Sequence, residues 1–219
     1  MRTKSLCLAA AALLGGVWVS SAQSNVYSLN IVGYVNRPLQ GNGQYSLVSN
    51  PLNTTNNTYA GLLQGLPVGW SVTKWTGSGF SPAAGRVGFG NGWTPTTAST
   101  NTFNPGEAVF IKSATGGSPY TNTFVGEVMI GSFTNNLPAG FSMIGNPIAD
   151  AGSVTNLNLI PPTGSQILVW KEDGVGGYTT YGKVGFGSGW TPSVPSLNVG
   201  QGFFINAATP YSWVRSFNP

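Results

Sequence analysis

Few residues of this chain could do acid–base or metal chemistry. Among its 219 residues there are no histidines, one cysteine and five carboxylates, which are Glu107, Glu127, Asp150, Glu172 and Asp173. General acid–base catalysis commonly uses a histidine or two juxtaposed carboxylates, and zinc sites and imidazole-dependent triads need histidine or cysteine. We therefore expect a protein that is not an enzyme and that holds neither a metal ion nor another cofactor.

Glu172 and Asp173 are adjacent and are followed by Gly174, which raises the question of a calcium-binding turn. A calcium loop needs regularly spaced oxygen ligands, as in D-x-D-x-D-G, and this segment lacks them. Aromatic residues flank a glycine turn over residues 170–178, and the same pattern recurs over residues 75–80. Both segments therefore predict β-hairpins.

A glycine-rich stretch with a tryptophan occurs twice, as GFGNGWTP at 88–95 and as GFGSGWTP at 185–192. Glycine-rich loops bind phosphate when a helix follows them. Here Trp-Thr-Pro follows, and the residue before a proline favours extended backbone. The stretch is therefore a poor candidate for nucleotide binding.

The tryptophans of the two stretches, Trp93 and Trp190, admit two roles. Each ring could be a buried plug that seals a sheet, with Phe89 and Phe186 as neighbours, over a sharp glycine turn. Alternatively, each ring could be a stacking platform for a sugar. Buried aromatic residues are common in β cores, so we expect the plug and keep both tryptophans as ligand-binding candidates.

Other segments recur in the same order as the glycine-rich stretch, about 95 residues apart. The matched pairs are YSLVSNP (45–51) with FSMIGNP (141–147), VTKW (72–75) with ILVW (167–170), and NPGEAVFI (104–111) with NVGQGFFI (198–205). Colinear matches at nearly constant spacing indicate two tandem copies of one unit. We place a signal peptide at 1–22, repeat 1 with an N-terminal strand at 23–124, and repeat 2 at 125–219.

The periodicity within the copies is that of β-strands. Residues 26–31 alternate between apolar and polar side chains, as a half-buried strand does. Residues 108–112 and 202–206 are short apolar runs suited to burial on both faces. Short helical turns are expected only at 59–66 and 154–160, each closed by proline.

No Ser-, Gly- or Pro-rich linker separates the copies. The sequence therefore predicts an all-β fold with two tandem, similar β-sandwich or barrel-like repeats packed together. The junction segment 122–128 resembles both ends of the mature chain, at 30–35 and 212–217. We expect one strand at the junction to serve both copies.

Three further side chains are candidates for ligand binding. Trp70 stands where the second copy has Ser165, so the fold does not require tryptophan there, and we expect this ring to be the most exposed. Arg86 and Lys183 occupy equivalent positions before Val-Gly-Phe-Gly. They could bind an anionic group, although a solvated charge at a strand end is the commoner outcome.

The N-terminus has the pattern of a secretory signal peptide. Arg2 and Lys4 precede an apolar run at 6–19, and small residues at 20–22 offer a cleavage site. The run is short for a membrane span, and the residues around Cys7 do not resemble a lipid-modified site. We expect a secreted, extracellular or cell-surface protein, with the periplasm as the alternative.

The mature chain would keep seven basic and five acidic side chains, a formal net charge of +2. This balance is too weak to indicate binding to nucleic acid or to an anionic membrane. The sequence has no second hydrophobic run, so we expect no integral membrane segment in the mature chain. Only 6% of residues are charged whereas 12% are aromatic, which argues against a disordered chain.

The chain resembles a group of uncharacterised secreted repeat proteins of verrucomicrobial-type bacteria. Four features carry this resemblance: the segment VYSLNIVGYVN, the aromatic-Ser strands that end in Asn-Pro, the GWTP motifs, and the Asn-x-Gly motifs ahead of Phe-Ile strands. The resemblance covers most of the mature chain through short motifs. It implies export from a bacterial cell and supplies no activity, ligand or site residue.

These observations predict a non-catalytic secreted β protein with a structural or adhesive role at the cell surface or in the extracellular matrix. Its terminal strands could add to the sheet edge of another copy, so self-association through edge strands is expected. The alternative is a carbohydrate-binding module that uses exposed tryptophans, with a polysaccharide as its partner.

Overall fold

Antiparallel β-strands dominate residues 31–219, the part of the chain that the computed structural model describes. The prediction of an all-β fold is confirmed. The predicted signal peptide at 1–22 lies outside the described residues, as does nearly all of the strand predicted at 26–31.

The first half of the described chain contains seven strands: β1 (Val32–Leu39), β2 (Tyr45–Ser49), β3 (Ser71–Thr73), β4 (Ala84–Arg86), β5 (Trp93–Thr94), β6 (Ala108–Lys112) and β7 (Tyr120–Glu127). The second half contains nine strands: β8 (Gly131–Leu137), β9 (Gly140–Gly145), β10 (Gly152–Ser153), β11 (Gln166–Trp170), β12 (Tyr178–Lys183), β13 (Trp190–Thr191), β14 (Ser196–Leu197), β15 (Gly202–Ala207) and β16 (Tyr211–Phe217). One helical turn, α1 (Tyr59–Leu62), and a 3-10 turn, Thr96–Thr100, complete the described secondary structure. The helical turn predicted at 59–66 is thus present, whereas residues 154–158 form non-helical turns.

Two five-stranded antiparallel sheets have the same order of strands. The first sheet runs β2-β6-β3-β4-β5 and the second runs β9-β15-β11-β12-β13. Two separate two-stranded ribbons, β1–β7 and β8–β16, accompany them, and β10 and β14 form a third, shorter pair. Each half of the described chain thus contributes one sheet and one ribbon.

Two strands, rather than one, occupy the junction between the halves. β7 pairs with β1 from Val32↔Glu127 to Leu39↔Tyr120, and β8 pairs with β16. The expectation that a single strand serves both copies is wrong, because each ribbon needs two strands of its own. The boundary predicted between residues 124 and 125 falls inside β7, which continues to Glu127.

Each ribbon covers one face of a sheet. In the first core, Leu39 and Phe124 of the ribbon pack with the sheet residues Val48, Val109 and Ile111. In the second core, the corresponding ribbon and sheet residues are Leu137, Trp213, Ile144, Phe203 and Ile205. Side chains alternate between the faces of a strand, so the intervening residues of these strands point to the opposite face.

The opposite faces of the two sheets pack against each other. Leu47, Ala108 and Phe110 of the first sheet meet Met143 and Phe204 of the second sheet in a third core. The backbone contacts between the sheets come in reciprocal pairs. The Ser49 N–H donates to the carbonyl oxygen of Gly200 at 2.9 Å, and the Gly145 N–H donates to that of Gly106 at 2.9 Å.

Two indoles repeat this reciprocity. Trp75 Nε1–H donates to the carbonyl oxygen of Phe141 at 3.1 Å, and Trp170 Nε1–H donates to that of Tyr45 at 2.9 Å. Trp75 corresponds to Trp170 in the sequence, and Tyr45 corresponds to Phe141. The two sheets are therefore related by an approximate two-fold axis.

Corresponding residues face each other near this axis, and one residue of each pair is glycine. A Cβ placed on Gly145 would lie 2.0 Å from the Cβ of Ser49, and a Cβ placed on Gly202 would lie 2.9 Å from that of Ala108. Atoms cannot approach this closely without a shift of the structure. The sheets can pack at this distance because the second half has glycine at both positions.

Candidate functional site

The tryptophans of the glycine-rich stretches are buried plugs. Trp93 is 1% exposed in the first core and Trp190 is 5% exposed in the second core, so the plug interpretation agrees with the structure. The expected packing of Phe89 and Phe186 beside them is wrong. Both phenylalanines stand at the tips of their loops and are exposed.

The loop geometry explains why these phenylalanines point outward. The Gly92 N–H donates to the carbonyl oxygen of Phe89 at 3.0 Å, and the Gly189 N–H donates to that of Phe186 at 3.0 Å. Gly92 and Gly189 have φ of 83° and 78°, in the left-handed region that favours glycine. The phenylalanine begins this tight turn and is exposed there.

Arg86 is neither a solvated charge nor an accessible anion site. The guanidinium is buried and donates to the carbonyl oxygens of Leu66 at 3.2 Å, Gln64 at 2.8 Å, and Gly92. It also lies 5.1 Å from the ring centroid of Trp93, within the range of a cation–π interaction. The solvated role expected for this side chain is wrong, because Arg86 closes the glycine loop onto the sheet.

Lys183 has the corresponding role in the second sheet, with one hydrogen bond to a loop carbonyl where Arg86 makes three. Its Nζ donates to the carbonyl oxygen of Gly189 at 3.2 Å and lies 5.5 Å from the ring centroid of Trp190. Sequence reasoning identified both cations as equivalent but did not find their partners, since the partners are backbone carbonyls.

The exposure predicted for Trp70 is wrong. The ring is 2% exposed and packs edge-on against Tyr120, with centroids 6.0 Å apart. Ser165, at the corresponding position, is also buried, and its hydroxyl accepts the N–H of Ala208 at 3.0 Å. The difference between the copies reflects different core packing rather than access to solvent. The ligand-binding candidates Trp70, Trp93, Trp190, Arg86 and Lys183 therefore do not come together in one site.

A different set of aromatic residues does come together, between the two sheets. We call this set the aromatic cluster, and its eight members are Tyr45, Trp75, Phe80, Phe110, Phe141, Trp170, Tyr178 and Phe204. Each sheet, with its hairpin, contributes four of them. The members correspond in pairs across the approximate two-fold axis.

The ring contacts of the aromatic cluster repeat across the axis. Trp75 and Phe80 have centroids 5.2 Å apart at 73°, and Trp170 and Tyr178 have centroids 5.0 Å apart at 76°. Trp75 and Phe80 also form a bridge, and Trp170 pairs with Tyr178, so both predicted hairpins are confirmed. Edge-to-face contacts of this kind add stability beyond the area that they bury.

A cavity of about 320 Å³ opens on one side of the aromatic cluster, and we call it the aromatic cleft. Its lining residues are Tyr45, Thr73, Phe80, Phe110, Trp170 and Tyr178. Phe80 and Tyr45 form its exposed rim, at 50% and 39% exposure, while Phe110 forms the buried floor. The Nζ of Lys112 lies 5.2 Å from the ring centroid of Tyr45, outside the lining.

Two carboxylates, Glu172 and Asp173, lie on the turn that follows the lining residue Trp170. Arg37 forms an ion pair with Glu172, whose pKa is raised because burial outweighs the attraction of Arg37. The pKa of Asp173 is lowered, mainly because the carboxylate accepts the N–H of Val175 at 3.0 Å. Asp173 thus stabilises its own hairpin turn, as expected for this segment.

The other carboxylates with ion-pair partners are structural as well. Lys74 pairs with Glu107 at 2.8 Å, and Arg215 pairs with Asp150. Residues 31–219 contain no group of three or more side chains suited to hold a metal ion. No helix in the same part of the chain is both long and apolar enough to cross a membrane.

Sequence reasoning missed the aromatic cleft as a site. The signal was present, because aromatic residues flank both hairpins and Tyr45 matches Phe141. What was missing was the packing of the sheets, which brings segments more than 100 residues apart into one cleft, as in the Trp170–Tyr45 hydrogen bond. Comparison with known proteins leaves the site unassigned: no family model matches the chain, and no curated protein or solved structure is significantly similar to it.

Proposed function

We propose that this protein is a non-catalytic structural or adhesive component of the cell surface or extracellular matrix, and that copies of it associate through the β1–β7 ribbon. Export through the predicted signal peptide at 1–22 and the resemblance to secreted repeat proteins of verrucomicrobial-type bacteria stay predictions. The observation that carries the proposal is an apolar outer face on a ribbon with an open edge.

The outer face of the β1–β7 ribbon exposes large apolar side chains. Val32 is 59% exposed, Tyr34 is 73% exposed and Val125 is 45% exposed, and they are neighbours in the register of the ribbon. Isolated apolar side chains are common on protein surfaces, whereas adjacent ones favour an interaction surface.

Within residues 31–219, no strand covers the outer edge of β1. Among the described strands, β1 pairs only with β7. The Val128 N–H donates to the carbonyl oxygen of Ile31 at 2.7 Å. Hydrogen-bonded pairs alternate along an antiparallel ladder, so the backbone N–H groups of Val32, Tyr34 and Asn36 point away from β7. Such an edge can accept a strand from another copy.

The second ribbon supplies a natural contrast. The outward side chains of β8 and β16 are polar apart from Val214: Ser132, Thr134, Asn136, Ser212 and Ser216. Association should therefore depend on the first ribbon. A matched pair of variants can test this, because the same residue can be placed on either ribbon.

Sedimentation velocity of the purified protein from micromolar to near-millimolar concentration tests the proposal. We expect oligomers that grow with concentration for the unchanged protein and for Thr134→Lys, and a monomer for Tyr34→Lys, because a lysine on an edge strand opposes pairing. A protein that stays monomeric throughout, or a Thr134→Lys variant that loses assembly as Tyr34→Lys does, would contradict the proposal.

The non-catalytic part of the proposal is supported by the roles of the carboxylates, three of which form ion pairs. The alternative function, carbohydrate binding through Trp70, Trp93 and Trp190, loses its support because these rings are at most 5% exposed. Sugar binding has a better candidate in the aromatic cleft.

A further inference from the structure

Phe80 and Tyr178 line the aromatic cleft and correspond to each other across the two-fold axis, so both also belong to the counterpart set. Two other lining positions differ between the aromatic cleft and its counterpart. Tyr45 stands where the second half has Phe141, and Thr73 stands where it has Leu168. In both pairs the residue of the aromatic cleft carries a hydroxyl group and its counterpart does not. The counterparts indicate that packing at these two positions does not require a hydroxyl.

The hydroxyl groups of the aromatic cleft are free to bind a ligand. Within residues 31–219, the hydroxyls of Tyr45, Thr73 and Tyr178 make no hydrogen bond to another protein group. Burial raises the pKa of Tyr178, so its hydroxyl stays protonated near neutral pH and can donate as well as accept. Three residues that carry a hydroxyl group thus line a cavity whose other lining residues are aromatic.

The aromatic walls are held in place before any ligand arrives. Trp170 is fixed by its hydrogen bond to the Tyr45 carbonyl at 2.9 Å. Tyr178 and Phe110 pack edge-on against it, with centroids 5.0 Å and 5.1 Å away. A preformed wall avoids the free-energy cost of ordering side chains on binding.

From these observations we infer that the aromatic cleft binds one pyranose ring of a neutral carbohydrate. The C–H groups of the ring pack on the aromatic walls, and its hydroxyls bond to Tyr45, Thr73 and Tyr178. The volume of about 320 Å³ is near the lower limit for ligand pockets, which suits a single ring. None of the six lining residues is charged, which favours a neutral sugar over a uronic acid or a sugar phosphate.

This inference does not depend on self-association through the β1–β7 ribbon. The ribbon residue Tyr34 does not line the aromatic cleft. The Tyr34→Lys variant should therefore bind sugar as the unchanged protein does. Loss of assembly with retained sugar binding, or the reverse, separates the two proposals.

Saturation-transfer NMR and tryptophan fluorescence test the inference, with the methyl glycosides of glucose, galactose, xylose and N-acetylglucosamine as probes and p-cresol as an aromatic control. We expect at least one glycoside to bind. Thr73→Leu should abolish binding, since it fills the cavity with the residue of the counterpart position. Tyr45→Phe should weaken binding roughly fivefold, the effect of one hydrogen bond. Phe141→Tyr, the reverse change at the counterpart position, should leave binding unchanged.

Several results would overturn the inference. The inference is overturned if none of the four glycosides binds. It is also overturned if a glycoside binds the unchanged protein, Tyr45→Phe and a folded Thr73→Leu equally well. Equally damaging would be p-cresol binding more tightly than every glycoside and unaffected by Tyr45→Phe, because the cleft would then suit an aromatic side chain of a partner protein. A melting temperature for each variant shows whether it is folded, and Tyr45→Phe keeps the test valid if Thr73→Leu is not.

Discussion

Replacing Gly145 by serine, the residue of the corresponding position in the first half, should lower the free energy of unfolding by about 3 kcal/mol. A Cβ at Gly145 would lie 2.0 Å from the Cβ and 2.2 Å from the Oγ of Ser49. The Gly145 N–H also donates to the carbonyl oxygen of Gly106 at 2.9 Å, which ties this strand to the facing sheet. The strand cannot withdraw without losing that bond, so the sheets must separate locally.

The double variant Ser49→Gly/Gly145→Ser should recover most of the loss, because it leaves one side chain in the shared space, now on the other strand. Ser49→Gly alone should cost about 1 kcal/mol, since it removes the hydrogen bond from Ser49 Oγ to the Gln201 carbonyl at 3.2 Å and adds a strand glycine. If the double variant is also about 1 kcal/mol less stable than the unchanged protein, the coupling between the two positions is about 3 kcal/mol.

Urea unfolding followed by tryptophan fluorescence measures these free energies. The slope of the free energy of unfolding against urea concentration should be the same for all variants, which shows that their folded and unfolded states are comparable. A loss of about 3 kcal/mol corresponds to a fall of roughly 6–12 °C in melting temperature for a domain of this size. The reasoning is refuted if Gly145→Ser is as stable as the unchanged protein. It is refuted equally if the effects of the two changes simply add.

Three further predictions follow from the same structure. Gly202→Ala should destabilise the protein by about 2 kcal/mol in urea unfolding, because the added Cβ lies 2.9 Å from the Cβ of Ala108 and 3.0 Å from the Cγ of Leu47. Ala108→Gly should recover part of this loss, because it removes the first of these contacts, and a loss with no recovery would contradict this. Arg86→Met should cost about 3 kcal/mol in the same assay, because it leaves the carbonyl oxygens of Gln64, Leu66 and Gly92 without their donor. An unchanged free energy of unfolding would contradict a stabilising role for Arg86. Burial raises the pKa of Tyr59 well above its usual value of 10.0, so the unfolded chain ionises first and the free energy of unfolding should fall as pH rises above that value. Tyr59→Phe should make this fall shallower, and an unchanged pH profile would show that Tyr59 does not contribute.

Much of the fold was accessible from the sequence because local patterns encode it. Alternation and short apolar runs predicted strands such as β6 and β15, and glycine turns between aromatic residues predicted both hairpins. The plug role of Trp93 and Trp190 followed from the prevalence of buried aromatics in β cores. These features depend on neighbours within a few residues in the chain.

The features that sequence reasoning missed depend on long-range packing. Trp70 was predicted to be exposed because the second half has Ser165 at the corresponding position, although both residues are buried. The partners of Arg86 are backbone carbonyls, which carry no sequence signal. The aromatic cleft forms only where the two sheets pack about their approximate axis, and the matched segments alone do not reveal that geometry.

Hydrogen–deuterium exchange of the β1 backbone, measured across a range of protein concentrations, tests the proposed assembly most directly. If copies pair through the open edge, exchange of the Val32, Tyr34 and Asn36 amides should slow as concentration rises, while that of the Ser132 and Thr134 amides on the second ribbon stays constant. Exchange rates of the β1 amides that are the same at every concentration would contradict assembly through this ribbon.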